Sequence, residues 1–221
     1  TGAGKSTFMT CLYRFTEFEG KIIIDDVDIQ KLGLHALRSK LTIIPQDPVL
    51  FMGTIRTNLD PFSEQSDERL WEALCIASLI KKEDLESVKL QHKDDDNLHK
   101  FHLNRAVEDD GSNFSIGERQ LIALARALVR KTKILILDEA TSSVDYETDA
   151  KIQKTISTEF NDCTILCIAH RLNTILNYDK IAVMNAGEVV EYDHPKTLFM
   201  NENGVFRSMC EQAKITIEDF A

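Results

Sequence analysis

Thr1-Gly2-Ala3-Gly4-Lys5-Ser6-Thr7 opens the sequence and sets its structural class. It is the second half of the pattern G-x-x-x-x-G-K-[ST]. The glycines let the backbone curl until several N–H groups point at one phosphate chain. A helix predicted from about residue 5 to residue 14 starts inside the loop and adds the positive end of its dipole. In that arrangement the Lys5 ammonium reaches the outer phosphates and the Ser6 hydroxyl ligates Mg²⁺. Such a loop normally follows a buried strand, and no strand precedes it here. The expectation is therefore a piece of a longer chain whose first strands are missing.

Working outward, short apolar runs alternate with helical patterns. Strands are predicted at 21–25 and 27–29 around Asp25-Asp26, at 41–44 before Pro45, at 134–137, at 164–169, and at 181–184 and 188–192 across Asn185-Ala186-Gly187. Helices are predicted at 34–39, 67–78, 115–129, 148–160, 172–177, 196–200 and 205–212. The first predicted helix is closed by Gly20. Residues 48–61 are expected to be loop-rich, and 81–113 a polar stretch in which Lys93-Asp94-Asp95-Asp96 reads as a solvated loop. Strand–helix alternation with short, continuously apolar strands predicts an α/β fold with a parallel sheet.

Two further stretches carry chemistry. Ile134-Leu135-Ile136-Leu137-Asp138-Glu139 is an apolar strand that ends in two carboxylates. That places them at the carboxyl edge of the sheet, where α/β folds bind ligands. For phosphoryl transfer, Asp138 is suited to hold Mg²⁺ and Glu139 to position or deprotonate the attacking water. Asn113-Phe114-Ser115-Ile116-Gly117-Glu118-Arg119-Gln120 leads into a strongly periodic helix with Ser115 as N-cap. Ser115 and the Gly117 backbone there form a second helix end able to face a phosphate.

Composition narrows the field. The 221 residues carry 26 Lys and Arg against 36 Asp and Glu, a net charge of −10, which speaks against bulk nucleic-acid binding. Five cysteines, an odd and scattered set without C-x-x-C, read as reduced thiols. No apolar run approaches the ~18–20 residues of a membrane helix. The histidines other than His170 lack metal-ligand spacing, and Trp71 reads as a core residue.

In its motifs and their order the chain resembles the ATP-binding cassette ATPases. Thr1, Gly2, Ala3, Gly4, Lys5, Ser6 and Thr7 resemble that family's Walker A motif. Gln46 in Ile44-Pro45-Gln46-Asp47-Pro48 is similar to its Q-loop. Phe114-Ser115-Ile116-Gly117-Glu118 resembles its signature, usually L-S-G-G-Q. Asp138 and Glu139 match Walker B and its catalytic glutamate, Ser142-Ser143-Val144-Asp145 the D-loop, and His170 the switch histidine. Gly53-Thr54-Ile55-Arg56-Thr57-Asn58-Leu59-Asp60-Pro61-Phe62 resembles the second nucleotide-binding domain of subfamily C exporters, the multidrug-resistance-associated type. The polar stretch and the signature variant are most similar to fungal members.

The resemblance implies a P-loop fold with a parallel core, a small antiparallel β part and an inserted helical subdomain. That subdomain would span about 62–130, between core segments 1–61 and 131–221. ATP and Mg²⁺ are the implied cofactors. The cradle would be Walker A with Gln46, Ser115, Gly117 and Asp138; the metal ligands Ser6, Gln46 and Asp138; the catalytic set Glu139, His170 and Gln46. The implied partners are the first nucleotide-binding domain of the same transporter, in a head-to-tail ATP sandwich, and the coupling helices of membrane domains, at a membrane's cytoplasmic face. Ser115 and Gly117 would then serve the partner's nucleotide. Two departures stand out: Ile116 replaces a glycine, and Glu118 replaces glutamine, setting a carboxylate near phosphates unless Arg119 offsets it. The site completed by this signature is expected to turn over less than the one on Lys5 and Glu139. Rival readings are a soluble cassette ATPase of DNA repair or translation, disfavoured by residues 46–62 and by the charge, and a regulatory module without turnover, disfavoured by Glu139 and His170.

Overall fold

A computed structural model describes residues 2–92, 97–140, 144–169 and 171–220. In chain order the elements are α1 (Lys5–Leu12), β1 (Ile23–Ile24), β2 (Val27–Asp28), α2 (Leu34–Arg38), β3 (Leu41–Ile44), β4 (Gly53–Thr54), α3 (Ile55–Leu59), α4 (Asp67–Ile76), α5 (Leu85–Lys89) and β5 (Ala106–Val107). There follow α6 (Ile116–Arg130), β6 (Ile134–Asp138), α7 (Tyr146–Glu159), β7 (Thr164–Ile168), β8 (Ile181–Asn185), β9 (Glu188–Asp193), α8 (Pro195–Met200) and α9 (Val205–Gln212). The chain divides into two compact units, one of Thr1–Arg38 with Cys167–Ala221 and one of Ser39–Leu166.

The Ser39–Leu166 unit is built on a sheet ordered β3-β6-β7. β3 and β6 run parallel, pairing Leu41 with Ile134 through Ile44 with Leu137. Leu135, Ile136 and Leu137 are all buried, as expected of a central parallel strand covered on both faces. α6 packs on β3, α3, α4 and α7. Its buried side includes Leu121, Leu124, Ala125 and Leu128, the face that a 3.6-residue period predicts.

The other unit holds two antiparallel ribbons. β1 and β2 are joined by Asp25 and Asp26, at φ 48° and 64°; β8 and β9 by Ala186 and Gly187, at φ 48° and 88°. Two successive left-handed residues are what a tight hairpin with right-handed strand twist requires. Phe199, Phe206 and Phe220 are buried in a cluster with Ile181 and Val183 of β8.

Several boundaries differ from the sequence reading. α1 stops at Leu12, short of Arg14 and Gly20, because Arg14 turns to φ 52° and its guanidinium donates to the carbonyls of Ile29 and Leu32. Residues 48–61 contain β4 and α3, and 81–113 contain α5 and β5. The stretch at 172–177 is a single 3₁₀ turn over Leu172–Thr174. Lys93-Asp94-Asp95-Asp96 lies outside the described residues.

Candidate functional site

The loop at the start of the chain has the conformation its glycines predict. Gly2 sits at φ 85° and Gly4 at φ 99°, left-handed positions that favour residues without Cβ. A Cβ on Gly4 would lie 3.4 Å from both Gly187 Cα and Met184 Cε, so the loop also packs tightly on the β8–β9 turn. The Gly187 N–H donates to the Ala3 carbonyl at 3.1 Å and fixes that contact. Gly4 is the N-cap of α1 and gives no side-chain cap, and the first turn carries no acidic residue. First-turn N–H groups lack intrahelical partners, so this end of α1 is chemically suited to an oligophosphate. Lys5 is half-buried there; Ser6 and Thr7 are exposed.

In the Ser39–Leu166 unit, the parallel register brings three predicted residues to one edge. Ile44 pairs with Leu137. Asp138 and Glu139 therefore leave β6 beside the point where Pro45 and Gln46 leave β3. Gln46 is exposed, while Asp138 and Glu139 are half-buried. Glu139 has φ 52°, an uncommon conformation for a side-chain-bearing residue and one that clusters at functional sites.

Ser115 and Gly117 lie at the amino end of α6. Ser115 Oγ accepts from the Glu118 N–H at 3.2 Å, and a Glu118 carboxylate oxygen accepts from the Ser115 N–H at 2.8 Å, a reciprocal capping box. A Cβ on Gly117 would come within 3.3 Å of the Thr148 side chain, so glycine eases the close approach of α7. Asp145 caps α7, accepting from the Thr148 N–H at 3.0 Å and its hydroxyl at 2.8 Å. Those two bonds hold the Asp145 carboxyl below its usual range.

The counter-charge to Glu118 is not Arg119, whose guanidinium donates to the Asp110 carbonyl at 3.2 Å. It is Lys100, with Nζ 2.7 and 2.8 Å from the two Glu118 oxygens. Burial pushes the Glu118 carboxyl up, but the Lys100 and Ser115 hydrogen bonds outweigh it and leave it below the ordinary glutamate value.

Gln120 is a residue whose role the sequence reading missed. It is 1% exposed, and its Nε2 donates to the carbonyls of Gln46 at 2.6 Å and Pro45 at 3.1 Å. The helix after Ser115 is thus tied to the loop that carries Gln46. The available signal was a polar residue next to Leu121 on the apolar face of a helix.

Thr1, His170, Ser142 and Ser143 lie outside the described residues. Among the described residues no group of histidine, cysteine and carboxylate side chains has the geometry of a metal centre, and no helix is long and apolar enough to cross a membrane.

A family model described as "ABC transporter" matches residues 1–142. The chain belongs to the ABC transporter family. Within that family it is 64% identical over its whole length to the oligomycin resistance ATP-dependent permease of Saccharomyces cerevisiae, covering 15% of that protein. It is 51% identical to ATP-binding cassette sub-family C member 4 of Homo sapiens over 96% of this chain and 15% of that one. The solved structure of a bacterial Atm1-family ABC exporter with ATP bound matches 98% of the chain and 36% of its own, with TM-score 0.81 and 32% identity. The fold is that of an ABC ATPase, and the chain spans about 15% of the length of these curated relatives.

Proposed function

We propose that this chain is the nucleotide-binding and ATP-hydrolysing domain of an ABC-type exporter for xenobiotics or organic anions, located at the cytoplasmic face of a membrane. The observation that carries the reading is the parallel pairing of β3 and β6, which delivers Gln46, Asp138 and Glu139 to one sheet edge. The open amino end of α1, led by Gly4 and Lys5, supports it.

In this reading the loop residues Thr1 to Thr7 cradle the ATP phosphates. Lys5 supplies charge to the outer ones, as a charge-assisted contact. Ser6, Gln46 and Asp138 are the donors for Mg²⁺, which when bound neutralises phosphate charge. Their hydroxyl, amide and carboxylate oxygens are hard ligands suited to that ion. Glu139 takes a proton from the attacking water, and His170 meets the γ-phosphate. Residues 62–130 form a helical subdomain between core segments 1–61 and 131–221. Ser115 and Gly117 face the nucleotide held by a second nucleotide-binding domain of the same transporter, and residues 46–62 meet the coupling helices of its membrane domains.

Glu139→Gln in the complete transporter tests the reading. It preserves shape and removes the base, so ATP turnover falls by about 10²-fold or more with ATP binding retained. Turnover within a factor of two of the wild type would refute the assignment.

A further inference from the structure

Glu118 presents a problem for the proposed reading. A carboxylate in the first turn of α6 stabilises the helix. It also repels a phosphate approaching the same end, which is what Ser115 and Gly117 are there to receive. Both oxygens of that carboxylate are engaged: Lys100 Nζ reaches Oε1 at 2.7 Å and Oε2 at 2.8 Å, and Oε2 also accepts from the Ser115 N–H at 2.8 Å.

Lys100 lies beside two aromatic rings. Its ammonium lies 5.7 Å from the centre of the Phe114 ring and 6.0 Å from that of Phe101, two rings that stack at 5.9 Å. Phe114, the first residue of the signature, is buried. The Lys100 turn is closed by the His102 N–H on the His99 carbonyl at 2.9 Å. It is anchored by His102, 3% exposed and edge-on to Trp71 at 5.2 Å. This part of the polar stretch forms a scaffold for one cation.

We infer that Lys100 is a positioning residue for the signature: it cancels the Glu118 charge and pins that carboxylate in the capping box, so that the amino end of α6 meets a nucleotide phosphate with its positive character intact. The Ile116 and Gly117 N–H groups, which the box does not use, and the Ser115 hydroxyl hydrogen are then the donors presented to the phosphate. The inference rests on the proposed reading that Ser115 and Gly117 serve a nucleotide. It adds that the charge at this signature is set by a residue outside it.

The test is Mg-ATP binding, by titration, to the complete transporter carrying Lys100→Met, which keeps the stem over the Phe114 ring and removes the charge. The dissociation constant for ATP at the site this signature completes should rise about twofold to fivefold, the size of effect expected for a partly exposed charge at a helix end. The defect should shrink as salt is raised, because the repulsion from the partly exposed Glu118 is screened. Lys100→Arg should retain wild-type behaviour, and Lys100→Met combined with Glu118→Gln should recover most of the loss. A purely structural role for Lys100 would not be relieved by salt or by neutralising Glu118. A defect that persists in the double variant, or a Lys100→Met enzyme indistinguishable from wild type while Glu139→Gln abolishes turnover, would overturn this inference alone. Wild-type turnover that is insensitive to Glu139→Gln would overturn the functional reading and this inference with it.

Discussion

Gln120→Met isolates the tie between the signature helix and the loop of Gln46. Methionine keeps an unbranched side chain of similar volume, so the packing of α6 is preserved. What is lost is a pair of donations from one buried amide, at 2.6 Å to the Gln46 carbonyl and 3.1 Å to that of Pro45. Each such bond contributes about 0.5–1.5 kcal/mol net, so the restraint on the loop weakens by ~1–3 kcal/mol. If the productive position of Gln46 depends on that restraint, its population falls by roughly 5-fold to 150-fold at 1.4 kcal/mol per decade. Steady-state ATPase of the complete transporter should fall within that range. The apparent Mg²⁺ requirement should rise as well, because Gln46 is a proposed metal ligand. Direct ATP binding should change less, because Lys5 belongs to the other compact unit. Turnover within twofold of wild type, with an unchanged Mg²⁺ requirement, would show that the loop keeps its place without Gln120.

Gly4→Ala places a side chain at φ 99° with its Cβ 3.4 Å from Gly187 Cα; the left-handed strain alone costs roughly 1–2 kcal/mol. ATP affinity by titration calorimetry should drop about tenfold or more, and unaltered affinity would contradict the loop geometry. Asp145→Ala removes the cap of α7, so that the helix frays and the thermal unfolding midpoint falls. The Asp145 carboxyl is held below its unfolded value by Thr148. Its contribution is therefore present above the unfolded pKa of ~3.9 and lost as pH falls through the lower folded value. A stability difference between wild type and variant that stayed constant from pH 7 down to pH 2 would refute this.

The parts of the fold legible in the sequence are those in which one physical signal dominates. β6 is an apolar run buried at Leu135, Ile136 and Leu137, and β3 is apolar but for Thr42 and buried but for Ile43, so their existence followed from hydrophobicity and their parallel class from alternation with helices. The ribbon turns followed from Asp25-Asp26 and Ala186-Gly187. α3 was not legible because its stability comes from side-chain bonds to the backbone. Asn58, 2% exposed, exchanges hydrogen bonds with both the N–H and the carbonyl of Phe51, and Thr54 forms a capping box with Thr57. Such polar contacts leave no periodicity.

The site divides in the same way. Asp138 and Glu139 announce themselves by ending an apolar strand. Lys100 acts 18 positions from Glu118 across a polar stretch, and no local pattern marks that pairing. Arg119, the next residue in sequence, was the offset the sequence left open. It fails because the residue following Glu118 on a helix points away from it.

The register of β3 against β6 also has a consequence for biosynthesis. Leu41 finds its partner in Ile134, 93 positions later (134 − 41). At translation rates of ~5–20 residues per second, β3 leaves the ribosome roughly 5–20 s before the strand that covers its edge. For that interval a short apolar strand with unmet backbone groups waits in a nascent chain. Non-local parallel pairing of this kind folds slowly and is exposed to misassociation. Substitutions that raise the apolar character of β3 would therefore reduce the yield of folded protein during synthesis even where they leave the finished sheet unharmed.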